Sequence, residues 1–132
     1  MLTEKQKREL HKRAREASQN SYSPYSNYPA GAAVLTKDKR VFLGTNVENA
    51  LFCLTICAER AALCNAASNG ATGIEAIAVH AHKGDILPCG ACRLFIHKFG
   101  EDIEVIYSKD NCVASDLITN LIPKSSLDKE RK

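Results

Sequence analysis

Ile74-Glu75-Ala76-Ile77-Ala78-Val79-His80-Ala81 alternates along its length, and neither of its faces is polar. Ile74, Ala76, Ala78 and His80 fall on one side, and Glu75, Ile77, Val79 and Ala81 on the other. Successive side chains of a strand point to opposite faces, so a strand apolar on both is covered on both. The segment therefore predicts a sheet lying between two other layers. Upstream, Thr55 to Ser68 reads as a helix rich in alanine, with Thr55 as its N-cap and Gly70 ending it. Downstream, Pro88 breaks the chain, Gly90 to Lys98 forms a second helix, and Ile103 to Tyr107 forms another strand. Ala114 to Leu121 is expected as a short last helix, and 124–132 as a frayed charged tail. Towards the start, strands Ala32–Thr36 and Val41–Asn46 flank the turn Lys37-Asp38-Lys39-Arg40. Lys5 to Gln19 is an amphipathic helix with Leu10, Ala14 and Ala17 on one side. The order α-β-β-α-β-α-β-α implies a layered α/β domain.

The chain of 132 residues suits a single domain, 1–132, and its 45% hydrophobic and 25% charged residues are an ordinary globular balance. A net charge of +3, with the basic residues concentrated at the two ends, argues against a nucleic-acid surface. Met1 to Arg8 has no apolar stretch behind its charges, so no secretory peptide is expected. No apolar run approaches the roughly 18 residues that would span a membrane. A soluble, cytoplasmic protein is the expectation. In that setting the six cysteines, Cys53, Cys57, Cys64, Cys89, Cys92 and Cys112, are expected as thiols rather than disulfides.

Two segments carry chemistry: Cys57-Ala58-Glu59 and Pro88-Cys89-Gly90-Ala91-Cys92, each opening an expected helix. The Cys89/Cys92 pair alone fits a redox pair or half of a structural zinc site equally well. With Cys57 it fills three corners of a tetrahedral zinc site and leaves one for water. Cys53, Cys64, His80 and His82 could close the site instead. Cys53 and Cys64 read more easily as apolar packing, and the two histidines as exposed or core side chains. Three thiolates and one Zn²⁺ sum to a charge of about −1, which helix N-termini at the sulfurs would offset. Arg60 is either a further donor to the thiolates or a surface ion-pair partner. Glu59 is either a proton carrier beside the metal or a first-turn acid favoured by the helix dipole.

Taken with Ser21 to Ala32 and Asn46-Val47-Glu48-Asn49-Ala50, these segments resemble the small, homotetrameric, zinc-dependent cytidine deaminases from about Ala17 to Pro123. The resemblance implies a three-layer α/β/α sandwich with a mixed central sheet of about five strands. It implies one Zn²⁺ per subunit held by Cys57, Cys89 and Cys92, with Glu59 as the catalytic proton carrier and Arg60 behind the thiolates. Asn46 and Glu48 would hold the ribose, Tyr28 would pack on the base, and backbone at Ala58 and Leu87 would hold its edge. The implied reaction is hydrolytic deamination of cytidine and 2′-deoxycytidine in pyrimidine salvage. Its partners would be a small nucleoside and three further copies sharing active sites, with neither polynucleotide nor membrane. The sequence departs from the family at four places. Tyr28 is usually Phe. Phe52 stands where a Tyr often reaches a neighbour's site. Leu87 replaces a Ser, and no aromatic follows Leu121-Ile122-Pro123. Competing readings are a deaminase of another cytosine compound such as blasticidin S, and a structural zinc or thiol-redox protein.

Overall fold

The structure, a computed structural model, describes residues 1–122. Pro123 and the tail expected over 124–132 lie outside the described residues. Thr3 opens α1 (Glu4–Ser18) with a capping box: the Gln6 amide donates to its hydroxyl, and its own amide donates to the Gln6 side chain. The hairpin β1 (Ala30–Thr36) and β2 (Val41–Thr45) follows. A 3₁₀ turn (Phe52–Leu54) leads to α2 (Ala58–Ser68), then β3 (Ile74–Ala81), α3 (Gly90–His97), β4 (Glu104–Lys109) and β5 (Cys112–Leu117). The sheet runs in the order β2-β1-β3-β4-β5. Only β3 and β4 are parallel, and α3 supplies the crossover that a parallel pair needs.

The three layers are those the sequence implied. Leu10 and Ala14 of α1 pack on Ala33, Ala76, Ala78 and Ile106. On the opposite face, Ala62, Leu63 and Ala66 of α2 and Ile96 of α3 cover Val34, Ile77, Val79 and Val105. β3 is thus buried from both sides, as its alternation requires. Two glycines set the spacing of the layers. A Cβ on Gly31 would stand 2.1 Å from the Ala14 carbonyl oxygen of α1, and one on Gly44 would stand 2.2 Å from the Ala62 amide nitrogen of α2. Both positions admit only hydrogen, so both helices rest on strand backbone.

Three local expectations are corrected. Ala114–Leu121 is not a helix: Cys112–Leu117 is the edge strand β5, and a 3₁₀ turn (Ile118–Leu121) follows. Asp110 and Asn111, with φ of 52° and 63°, form the two-residue turn that folds β5 back onto β4. Thr55 does not cap α2, because Val47 and Ile56 exchange two backbone hydrogen bonds of 2.9 Å that keep the chain extended up to Cys57. The Thr55 hydroxyl instead accepts from the Asn49 amide. Cys53 and Cys64 are exposed rather than packed in the core.

Candidate active site

Cys57 is the N-cap of α2, Cys89 is the N-cap of α3, and Cys92 is buried in the first turn of α3. Their three sulfurs lie within 4.8 Å of one another, and no other His, Cys, Asp or Glu among the described residues joins them. His80, His82, Cys53 and Cys64 therefore do not close the set. Neither helix start is capped by a side chain. First-turn amides and the positive ends of two helix dipoles remain available to thiolates. Arg60 resolves towards the sulfurs: its Nη2 donates to Cys57 Sγ at 3.3 Å.

Those contacts set the thiol chemistry. A hydrogen bond from Cys92 pulls the Cys57 thiol down to about 5; burial opposes this and Arg60 reinforces it. Cys92, the donor to that thiolate, is pushed up in turn. A ready thiolate, two further thiols and an open fourth corner make a donor set that fits Zn²⁺ with one exchangeable position. Glu59, two residues after Cys57, is only 4% exposed. Burial holds its carboxyl above the usual range, and the charge on Cys57 adds to that. Hydrogen bonds from its own backbone and from Cys92 pull the other way.

A cavity of about 180 Å³ opens beside this cluster, lined by Tyr28, Asn46, Ala58 and Glu59 together with Cys57 and Cys89. Thr55, Ile56 and Ile86 line it as well, which the sequence reading missed. Nothing in their residue types points to a pocket, and only the bridge between Val47 and Ile56 turns that segment inward. A roomier groove of about 490 Å³ runs between α1 and the β1–β2 edge, but it holds no convergent ligand set.

The loop facing the metal cluster is held by two side chains. Asn46 accepts from the Ala30 amide at 3.0 Å and from the Ser21 hydroxyl, and donates to the Tyr28 carbonyl at 2.9 Å. Glu48 accepts from the Tyr25 and Ser26 amides at 2.9 and 3.1 Å. The Ser26 hydroxyl holds the Glu48 carboxyl below its usual range; burial opposes this, and the Ser26 and Tyr25 amides add to the lowering. Glu48 is partly exposed and does not line the cavity of a single chain. Phe52 also lies outside it and is 88% exposed.

The model of the cytidine and deoxycytidylate deaminase zinc-binding region matches residues 4–109. The chain belongs to this deaminase family. It is 42% identical to the cytidine deaminase of Sporosarcina psychrophila over 65% of this chain and 64% of that protein. It is 51% identical to that of Halalkalibacterium halodurans over 64% of each. These matches thus span a little under two thirds of each relative. The crystal structure of cytidine deaminase from Burkholderia pseudomallei superposes with a TM-score of 0.84 at 39% identity, covering 89% of this chain and 97% of that one. The family reading made from the motifs is borne out, as are the α/β fold and zinc as the metal. No helix among the described residues is long and apolar enough to cross a membrane.

Proposed function

We propose that this deaminase hydrolyses cytidine and 2′-deoxycytidine to uridine and 2′-deoxyuridine with release of ammonia, in pyrimidine salvage in the cytoplasm. The observation that carries the reading is a buried, proton-affine Glu59 at the wall of a cavity that also exposes Cys57 and Cys89, two of three convergent thiols. Cys57, Cys89 and Cys92 would hold Zn²⁺, which when bound would lower the pKa of a water towards neutral pH. Glu59 takes a proton from the attacking water, delivers it at ring N3, and passes a proton to the departing amino nitrogen. A C4–O bond forms, the C4–N bond breaks, and one water is consumed for each ammonia released. The raised Glu59 pKa suits a group that must accept and return a proton in each cycle.

Binding follows from the loop. The Asn46 side-chain amide has one N–H left after its bond to Tyr28, and this is a donor for a sugar hydroxyl. Glu48, held ionised, accepts from a second hydroxyl. Tyr28 forms an apolar wall for the base, and Ala58 holds its edge through backbone. Phe52 serves a neighbour's pocket: Leu51, Phe52 and Leu54 form a contiguous exposed apolar strip, which supports a homotetramer with shared active sites. A cavity of 180 Å³ is also small for a nucleoside site, which is consistent with walls supplied by other copies.

The test is loss of cytidine absorbance with wild-type and Glu59→Gln protein, with zinc measured in both. The expected result is turnover by the wild type and a loss of about 10³-fold or more in the variant, with zinc retained. Equal cytidine turnover by the two proteins would remove Glu59 from the proton-carrier role. Wild-type protein that holds zinc but leaves cytidine untouched would redirect the search to another amino-substituted substrate.

A further inference from the structure

Arg93 follows Cys92 directly, yet neither the metal nor the cavity uses it. Its Nε donates to the Pro88 carbonyl at 2.8 Å, and its Nη1 donates to the Leu121 carbonyl at 3.0 Å. Pro88 is buried and immediately precedes Cys89, and Leu121 ends the last 3₁₀ turn. No carboxylate among the described residues forms an ion pair with Arg93. The guanidinium is thus a two-armed strut between two backbone segments that share no secondary structure.

We infer that Arg93 is a positioning residue for the metal: it fixes the peptide plane that precedes Cys89 and braces that ligand against the C-terminal 3₁₀ turn. Three features support this. The loop from His82 to Leu87 is mostly exposed, so packing alone restrains the approach to Cys89 weakly. Cys89 has no side-chain cap bond of its own. The Pro88–Cys89 peptide is trans, so a carbonyl held towards Arg93 turns the Cys89 N–H to the opposite side. A planar guanidinium donates along two fixed directions at once, which a lysine cannot do. The inference rests on the three-thiolate reading of the metal site, and it concerns retention of the ligand geometry rather than turnover.

The experiment loads full-length protein with zinc and measures release to a chromogenic chelator, beside thermal unfolding of the metal-free form. Arg93→Met is expected to release zinc about tenfold faster or more, in the range typical for loss of a residue that orients a metal ligand. Arg93→Lys, able to reach one carbonyl only, is expected to fall between Met and wild type, and it carries the test if the Met variant does not fold. A general structural role would lower the melting temperature of the metal-free protein and leave release unchanged. Release by both variants within about twofold of wild type overturns the inference and leaves the deaminase reading intact. Wild-type protein that binds no zinc overturns both.

Discussion

Gly44→Ala places a methyl group where there is helix backbone. The new Cβ would lie 2.2 Å from the Ala62 nitrogen, 2.5 Å from the Ala58 carbonyl oxygen and 2.8 Å from the Ala62 Cα. Relaxed contacts of this kind lie at about 3.5 Å or more, so α2 must retreat by roughly 1 Å. The obstructing atoms are main chain and cannot rotate away, which puts the cost near the upper end of overpacking, about 3 kcal/mol. For a domain of this size that corresponds to a fall in melting temperature of roughly 10 °C. The site moves too, because Ala58 lies between Cys57 and Glu59 on the turn that is displaced. A 1 Å misplacement of catalytic groups costs on the order of 10²-fold in rate. Thermal unfolding at fixed protein concentration, with cytidine turnover at a temperature where both proteins are folded, measures the two effects separately. A variant that melts within about 2 °C of wild type and turns over normally would refute the idea that strand backbone sets the position of α2.

Three other outcomes are expected. His80 is half-buried with both ring nitrogens lacking partners; burial first, then His11, His82 and Arg15, lowers its pKa to about 4. Its folded pKa lies below the unfolded value, so the unfolded chain binds the proton first and stability falls as pH drops from about 6.5 towards 4. Between pH 7.5 and 5 this amounts to about 1 kcal/mol once solvent screening is allowed for, and urea titrations of His80→Val should lack that part of the decline. Phe52→Asp puts a charge on the exposed apolar strip and should shift the mass seen by light scattering below that of the wild type, proposed as a tetramer, while circular dichroism stays unchanged; an unchanged mass would count against a subunit contact there. Asn46→Ala removes three hydrogen bonds that join Ser21, Tyr28 and Ala30. It should cost about 2–3 kcal/mol of stability and raise KM for cytidine more than it lowers kcat; a normal KM would separate this side chain from the sugar.

Sequence and structure agree where a pattern has a single physical solution. Ile74–Ala81 had to be covered on both sides, and α1 and α2–α3 cover it. Leu10, Ala14 and Ala17 had to face inward, and all three are buried. The metal set was legible because thiols in this spacing at two helix starts have few other uses. The misses arose where tertiary pairing overrode local preference. Ala114, Ser115 and Asp116 suit a helix as well as a strand, and the Asp110-Asn111 pair, whose two positive φ angles make the hairpin, is the signal that identifies β5. Thr55 is a good N-cap by type, but the bridge to Val47 starts the helix later, and no single-segment pattern encodes a contact made by a distant residue. Arg60 was undecided in the sequence because its choice depends on where Cys57 points. The carboxylate role of Glu48 as a brace for the Tyr25–Ser26 amides has no sequence signal at all.

The ligands come from two helices with β3 threaded between them in the chain. While the protein is being synthesised, Cys57 is available well before Cys89 and Cys92, which follow β3 in the chain. Zinc captured by the unfinished chain would meet Cys53, Cys57 and Cys64 first, none of which forms the final set without α3. Correct loading is therefore a late event of assembly. During synthesis, metal bound before Cys89 and Cys92 emerge would have to be transferred before the site is complete.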